Sequence, residues 1–294
     1  MKFGQVENPE NVLFTLPKDA AITIASLEKG EKPLQIYVGC AKWNKKDLKN
    51  FYPKGVKDEL EYYSSQYNSI ELNATFYNTP STSQVKIWKE KTPDDFKFFP
   101  KITNTISHFR RLKDVNLLVQ EYCDAISHFE EKLGMVFLQL HDNFKPKDFE
   151  RLISVVQSFP KFIPLGIEVR NQEWYSDTQA IQDFQELLIA HDMTNILVDT
   201  AGRRDMMHMA LTSTKAFIRY VGANHSTDYT RLDDWVDRIK LWKKQGLEQL
   251  YFFVHQNIEL ESPLLSAYFI EKLNKSLNIE MYIPHTIKPI IKKK

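Results

Sequence analysis

The chain alternates eight short strand-like runs with helix-like patterns between residues 35 and 257, and this alternation limits its fold more than any other feature. The runs have the length and composition of buried parallel strands, whereas the segments between them repeat apolar residues every three or four positions, as amphipathic helices do. Such βα alternation builds either a closed barrel or a doubly wound sheet. The predicted strands are 35–41, 69–77, 96–103, 135–141, 164–171, 195–200, 216–222 and 249–257.

Eight units favour a single (β/α)8 TIM barrel, because closure leaves no unpaired edge strand. No glycine-rich dinucleotide motif follows the first run, which weakens the doubly wound alternative. We expect the barrel domain over 35–294, a length typical of one such domain, and an N-terminal extension over 1–34 that packs on the barrel. Predicted helices cover 57–66, 83–91, 114–133, 147–159, 178–191, 231–245 and 263–277, with a weak helical pattern over 201–215.

Composition excludes several classes of protein. Lys and Arg number 39 against 38 Asp and Glu, so bulk charge gives no argument for nucleic acid or an anionic membrane. Cys40 and Cys123 are too few for a disulfide framework, which predicts a reduced, cytoplasmic protein. We find no signal peptide and no apolar run long enough to span a bilayer, and we interpret Lys288 and Lys292–Lys294 as a solvated basic tail.

Polar residues alternate with apolar ones in several strands, and the polar set is predicted to point into the barrel. In the second strand the apolar phase should face the helices, so Glu71, Asn73 and Thr75 face inward. Gly39 in the first strand lets a ligand or backbone come close. Because catalytic groups of such barrels lie at the C-terminal ends of the strands, we predict a ring of polar side chains at that mouth. It includes Glu71, Asn73, Thr75, Lys101, Gln139, His141, Glu168, Arg170, Asp199, Arg219 and His255.

The carboxylates in this ring are the candidate catalytic residues. Glu71 and Glu168 stand three strands apart, which predicts opposing walls, and two carboxylates facing across a pocket can act as acid and base or cleave a glycoside. Asp199 is the third catalytic candidate. A self-satisfied ion network, in which the three carboxylates balance Lys101, Arg170 and Arg219, stays open as the structural alternative.

The cations point to the ligand. Lys101, Arg170, Arg219 and His108 suit a phosphate or carboxylate, so we expect a small anionic or sugar-like ligand. Their presence argues against a metal cluster; we predict no cofactor and leave a divalent metal open as an alternative. Aromatic residues that follow strands are candidates for the pocket rim. They are Trp43, Tyr77, Trp174 and Tyr175.

Five blocks of sequence resemble, in order, those of the YecE-like family, also called domain of unknown function 72. The most specific are ELNATFY and EVRNQEW, and the others are YVGCAKWNKKDLKNFYP, WKEKTPDDFKFFPKITNTISHFRRL and VFLQLHDNF. The resemblance implies a (β/α)8 barrel with a site at its mouth, and no particular reaction. It maps the recurrent polar positions of the family onto Glu71, Asn73, Thr75, Tyr77, Lys101, His108, Gln139, Glu168, Arg170, Trp174, Asp199 and Arg219.

The chain departs from the family pattern at Lys42, at Val221, at the His255–Gln256 pair and in its N-terminal extension. Three functions stay open. The first is an enzyme, a hydrolase or a lyase, that acts on a small phosphate- or sugar-containing substrate. The second is nucleic-acid binding or processing, for which a basic rim is expected, and the third is non-catalytic binding of a small ligand. The rim would consist of Lys42, Lys45, Lys46, Arg110, Arg111, Arg203 and Arg204.

Overall fold

The computed structural model describes residues 4–48 and 50–286; the predicted tail at Lys288 and Lys292–Lys294 lies outside them. Eight strands occur in the described residues, in the predicted order and all paired in parallel. They are β1 (Gln35–Cys40), β2 (Ser69–Leu72), β3 (Lys97–Pro100), β4 (Val136–Gln139), β5 (Leu165–Glu168), β6 (Thr194–Asp199), β7 (Lys215–Gly222) and β8 (Gln249–Gln256).

Six strands form one continuous sheet in the order β1-β8-β7-β6-β5-β4, which makes a parallel half-barrel, and β2 pairs with β3 separately. Two isolated bridges, Phe98 to Leu133 and Lys101 to Phe137, join β3 to the β4 edge. Within the described ranges no backbone ladder joins β1 to β2. We predicted a closed barrel of eight strands, whereas the continuous backbone pairing covers six strands and the β2–β3 pair stands apart.

The side chain of Asn68 replaces the ladder between β1 and β2. It accepts from the Val38 amide at 3.0 Å and donates to the Ile36 carbonyl at 2.8 Å. Gly39 permits this approach, since a Cβ there would lie 2.2 Å from the Ser69 carbonyl oxygen. The space that Gly39 leaves is thus filled by the backbone of β2.

Most helices lie between successive strands, whereas α1 precedes β1 and α10 follows β8, and the apolar helix faces form the outer layer of the core against the sheet. They are α1 (Ala21–Leu27), α2 (Glu59–Ser64), α3 (Ala74–Tyr77), α4 (Thr82–Glu90), α5 (Asn116–Ser127), α6 (Phe149–Ser158), α7 (Glu173–Ser176), α8 (Thr178–Ala190), α9 (Thr227–Gln245) and α10 (Ser262–Leu277). No helix in the described residues is long and apolar enough to cross a membrane.

An inner layer of large apolar side chains packs on the side of the strands away from the helices, below the C-terminal strand ends, which we call the mouth. It includes Phe99, Phe137, Phe217 and Phe253. Side chains two residues further along these strands point the same way. The inner layer therefore fixes which residues face the mouth: Lys101, Gln139, Arg219 and His255.

Three predicted elements differ from the structure. The second strand was predicted to run to residue 77 but ends at Leu72, because Asn73 turns into the short helix α3 and the Thr75 hydroxyl donates to the Leu72 and Lys101 carbonyls. The helix predicted over 114–133 ends at Ser127, and Glu130 has a positive φ of 52°. The weak pattern over 201–215 contains only a 3-10 turn, Arg204–Met206.

Residues 4–34 run along the outside of the strands from their N-terminal ends to the mouth. At one end, the Glu31 and Lys32 amides donate to Glu248 at the start of β8. Midway, Asp19 forms a salt bridge of 2.5 Å with Arg238 of α9. At the other end, the Gly4 carbonyl accepts from the Gly202 amide at 2.9 Å, just beyond β6. The first described residues therefore lie beside the mouth.

Candidate functional site at the C-terminal ends of the strands

Arg219 of β7 lies at the centre of the mouth and binds two carboxylates at once. Its Nε and Nη2 each donate to Glu71 of β2 at 2.9 Å, and its Nη1 donates to Glu168 of β5 at 2.6 Å. All three side chains are buried. Arg219 thus fills the space between the two carboxylates, which corrects the prediction that Glu71 and Glu168 face each other across an open pocket.

Both carboxylates also accept hydrogen bonds from other side chains. Glu71 accepts from Asn73 Nδ2 and from His255 Nε2, each at 2.9 Å, and Glu168 accepts from Arg170 Nε at 2.5 Å. A carboxylate can only accept, so the Nε2 of His255 carries the hydrogen. Every carboxylate oxygen in this group has a charged or polar donor.

This pairing keeps both carboxyl groups ionised. Burial alone would raise the pKa of Glu71, but Arg219 and His255 outweigh burial and hold it well below its usual range. Burial would likewise raise the pKa of Glu168, but the positive charges of Arg170 and Arg219 outweigh burial and lower it to about 2. Neither group holds a proton to give at neutral pH.

Lys101 lies beside this network, and no salt bridge joins it to a carboxylate among the residues that the structure describes. Its Nζ donates to Gln139 Oε1 at 2.9 Å, and Arg219 Nη1 donates to the same oxygen at 3.3 Å. The ammonium also lies 4.1 Å from the centre of the Phe76 ring. Burial, followed by the positive charges of Arg219 and Arg170, lowers the pKa of Lys101 to about 7.

His108 and His141 form an edge-to-face pair above Phe76, with ring centroids 5.1 Å apart. His108 belongs to a π-helical turn, Thr105–Phe109, and its Nδ1 lies 2.9 Å from the Ser107 hydroxyl. Burial and the charge of Lys101 lower the pKa of His108 to about 4, so the ring is neutral at physiological pH.

These groups open onto a pocket of about 440 Å³. A second pocket, of about 370 Å³, adjoins it across Asn73 and is walled by Trp43, Tyr77 and Lys42. The lining of the first combines predicted and unpredicted residues. They are Gln5, Asn73, Phe76, Lys101, His108, Gln139, Arg170, Arg219, Val221, His255, Gln256, Asn257 and Glu259.

Four predicted residues lie apart from this cluster. Asp199 points outward from β6 to α9, where it accepts from Arg231 and from Trp235 Nε1 at 2.8 Å each. Trp174 is fully buried and donates to the Phe144 carbonyl. Thr75 is buried, and its hydroxyl donates to backbone carbonyls. Tyr77 is 68% exposed and lies on the second pocket.

Sequence reasoning missed six residues of this lining, which are Gln5, Phe76, Val221, Gln256, Asn257 and Glu259. Phe76 was assigned to the outward phase of a strand that was predicted too long, and the turn at Asn73 reverses its direction. Gln5 precedes every strand, so no periodicity indicates it. Among the described residues, no three His, Cys, Asp or Glu side chains converge in a group that could hold a metal ion.

The fold is a parallel βα half-barrel, and an ion network lies at the C-terminal ends of its strands. The sequence of this chain matches a protein-family model. That model, "Protein of unknown function DUF72", matches residues 37–287, and the chain belongs to this family. The expected YecE-like membership is therefore confirmed. The UPF0759 protein YecE of Escherichia coli K12 is 28% identical over 264 residues, which cover 82% of this chain and 94% of YecE.

The UPF0759 protein YunF of Bacillus subtilis is 27% identical over 150 residues, which cover 48% of this chain and 52% of YunF. The fold also matches crystal structures of a DUF72 family protein from Enterococcus faecalis. One of them, at 3.10 Å resolution, has a TM-score of 0.66 and 16% identity, covering 87% of this chain and all of that one. At this identity the likeness shows the fold alone.

Proposed function

We propose that the mouth pocket binds a small anionic or sugar-like molecule and acts on it chemically. The observation that carries this proposal is the imbalance between donors and acceptors. Each oxygen of Glu71 and Glu168 already has a donor among Arg219 and its neighbours, whereas Lys101 uses one N–H on Gln139 and keeps at least one more for a ligand. A pocket rich in donors favours a ligand rich in oxygen, such as a phosphate, a carboxylate or a sugar.

We propose a positioning role for Glu71 and Glu168 in place of the acid and base roles expected from their spacing. An ionised, fully hydrogen-bonded carboxylate has no proton to donate and gains little by accepting one. The group on this pocket that is suited to proton transfer near pH 7 is Lys101, whose pKa is lowered to about 7. The carboxylates hold Arg219 and His255 in fixed orientations.

We also propose that the eight strands close into a (β/α)8 barrel around this site. Support comes from the bridges between β3 and β4 and from the Asn68 side chain, which spans β1 and β2. Closure would bring the C-terminal ends of β2, β3, β4, β5, β7 and β8 to one mouth. Glu71 and Glu168 already share Arg219 across that mouth.

Calorimetric titration with inorganic phosphate and with citrate tests the ligand class. We expect one saturable site in the wild-type protein and at least tenfold weaker binding in Lys101→Met, because one charged donor hydrogen bond contributes about 1.5–3 kcal/mol. Lys86→Met on the exposed face of α4 is the matched control and should bind as the wild type does. Binding that is unchanged in Lys101→Met would refute the assignment of this pocket.

One observation favours nucleic acid as a second candidate. Phe109 is 76% exposed beside the exposed Arg110 and Arg111, and an aromatic ring among cations suits an unpaired base. Three other residues of the predicted basic rim pair with carboxylates: Lys42 with Asp47, Arg203 with Asp205, and Arg204 with Asp199. A mobility shift with single-stranded DNA at low salt, lost in Phe109→Ala, would favour this function, and absence of a shift would remove it.

A further inference from the structure

Two buried lysines in this protein have opposite surroundings. Lys132 Nζ donates to two backbone carbonyls, those of Lys89 and Thr92, at 2.9 and 2.6 Å. Lys101 Nζ has a single oxygen partner, Gln139 Oε1, and faces a ring and a pocket. In the described part of the chain it forms no salt bridge. Lys101 is therefore a buried amine with few polar contacts, which points to a role other than structural pairing.

The groups around Lys101 favour its neutral amine. Arg219 on β7 shares its acceptor oxygen, and Arg170 after β5 adds a second positive charge. His108 lies on the loop after β3 and His255 on β8. The two nearby carboxylates, Glu71 on β2 and Glu168 on β5, are bound to guanidinium groups, so their charge is largely cancelled. A desolvated lysine beside another cation is an activated nucleophile.

We propose that Lys101 is a nucleophilic residue that forms an imine with the carbonyl group of an anionic ligand. The inference rests on the proposed function, whose ligand class it narrows to aldehydes or ketones that also carry a carboxylate or phosphate. Arg170 and His108, on the same pocket as Lys101, are placed to bind the anionic group. The Phe76 ring and the Gln139 amide fix the position of Nζ on this pocket.

The step balances without an oxidant or a reductant. The Nζ lone pair attacks the carbonyl carbon, a C–N bond forms, and the π electrons of the carbonyl move to its oxygen. That oxygen takes up the proton lost from Nζ, which gives a carbinolamine. Loss of hydroxyl from carbon and of the second proton from nitrogen releases one water and leaves the C=N double bond.

Reductive trapping tests the proposal on the full-length wild-type protein. The protein is incubated with glyoxylate, an anionic aldehyde, and sodium cyanoborohydride, and labelled lysines are located by peptide mass spectrometry. A lysine with a pKa of about 10.4 is neutral in about one molecule of 2,500 at pH 7. We therefore expect Lys101 to be labelled at least about tenfold faster than exposed Lys86. Buried Lys132 should stay unlabelled.

Two further measurements make the outcome decisive. The labelling rate at Lys101 should reach half its maximum near pH 7, the pKa of about 7 for this amine, whereas a half-maximum near pH 10 overturns the proposal. Phosphate should slow labelling at Lys101 and leave Lys86 unaffected.

Acetaldehyde, which has no anionic group, separates this inference from the proposed function. Equal labelling of Lys101 by both aldehydes supports the nucleophile and counts against the anion site. Phosphate binding without any labelling of Lys101 keeps the anion site and overturns the nucleophile.

Discussion

Replacing Arg219 with methionine should destabilise the protein strongly, because one guanidinium serves two buried carboxylates. The change removes both hydrogen bonds to Glu71 and the 2.6 Å bond to Glu168. Removing one partner of a buried ion pair costs about 3–5 kcal/mol, since the other charge is left uncompensated. Glu71 keeps His255 and Asn73 as donors, and Glu168 keeps Arg170, which places the expected loss near the lower end, about 3 kcal/mol.

The loss should depend on pH in a defined direction. In the wild type, the pKa of Glu168 is about 2, below the value of about 4.3 expected when unfolded, so its stabilisation is present above pH 4.3 and disappears only as pH falls toward 2. In Arg219→Met we expect the pKa of both carboxyls to rise above the unfolded value. The deficit should therefore be full at pH 7 and shrink as pH falls toward 4.

Urea denaturation at pH 7.0 and pH 4.5 measures both quantities. Arg151→Met is the matched control, because Arg151 is exposed and its salt bridge with the half-buried Asp148 lies at the surface, so its loss should cost at most about 1 kcal/mol. Adding Glu71→Gln to Arg219→Met should restore part of the stability, since it removes one of the unpaired charges. A loss below about 1 kcal/mol at pH 7, or an equal loss at both pH values, would refute the reasoning.

Three further changes have definite expected outcomes. Asp199→Asn should cost on the order of 2 kcal/mol in urea, because it weakens the bond to Arg231, yet leave glyoxylate labelling unchanged; slower labelling would place Asp199 in the site. Lys101→Met should raise the melting temperature more at pH 6 than at pH 9, since the lowered pKa of Lys101 makes its protonated form costly in the folded state; an equal effect at both pH values would contradict this. Gly39→Ala should cost about 1–3 kcal/mol in urea, because its Cβ would meet the Ser69 carbonyl oxygen, and a neutral result would mean that β1 and β2 separate easily.

The order of the strands and most of the mouth residues could be predicted from the sequence, because these depend on local periodicity. The alternation of Phe137 with Leu138, and of Gly166 with Ile167, fixed the inward direction of Gln139 and Glu168 correctly. Strand β6 shows no alternation from which the inward direction could be predicted. Its apolar run, Ile196 to Val198, has no alternation, so the sequence did not determine the side on which Asp199 lies. The structure places Ile196 and Val198 in the inner layer, which turns Asp199 outward.

The pairing within the site could not be predicted, because it depends on distances between strands far apart in the chain. Glu71 and Arg219 are separated by 148 residues and meet at 2.9 Å. The sequence predicted charge balance correctly as an alternative but left open whether the carboxylates flank a cavity or share a cation. The structure shows the second arrangement, because the Arg219 side chain is long enough to bind both carboxylates.

The same chemistry occurs twice, on opposite sides of the strands, with different consequences. Inside, Arg219 joins Glu71 to Glu168 and leaves Lys101 as the amine facing the pocket. Outside, Arg231 of α9 binds Asp199, stacks over Phe14 of the N-terminal segment at 4.4 Å, and thereby fastens that segment to α9. The outer network stabilises packing alone, since its groups are buried between helix and sheet. Buried ion pairs therefore indicate a functional site only where a neighbouring polar group remains open to a pocket, and in this protein that condition selects the side of the sheet that holds Lys101.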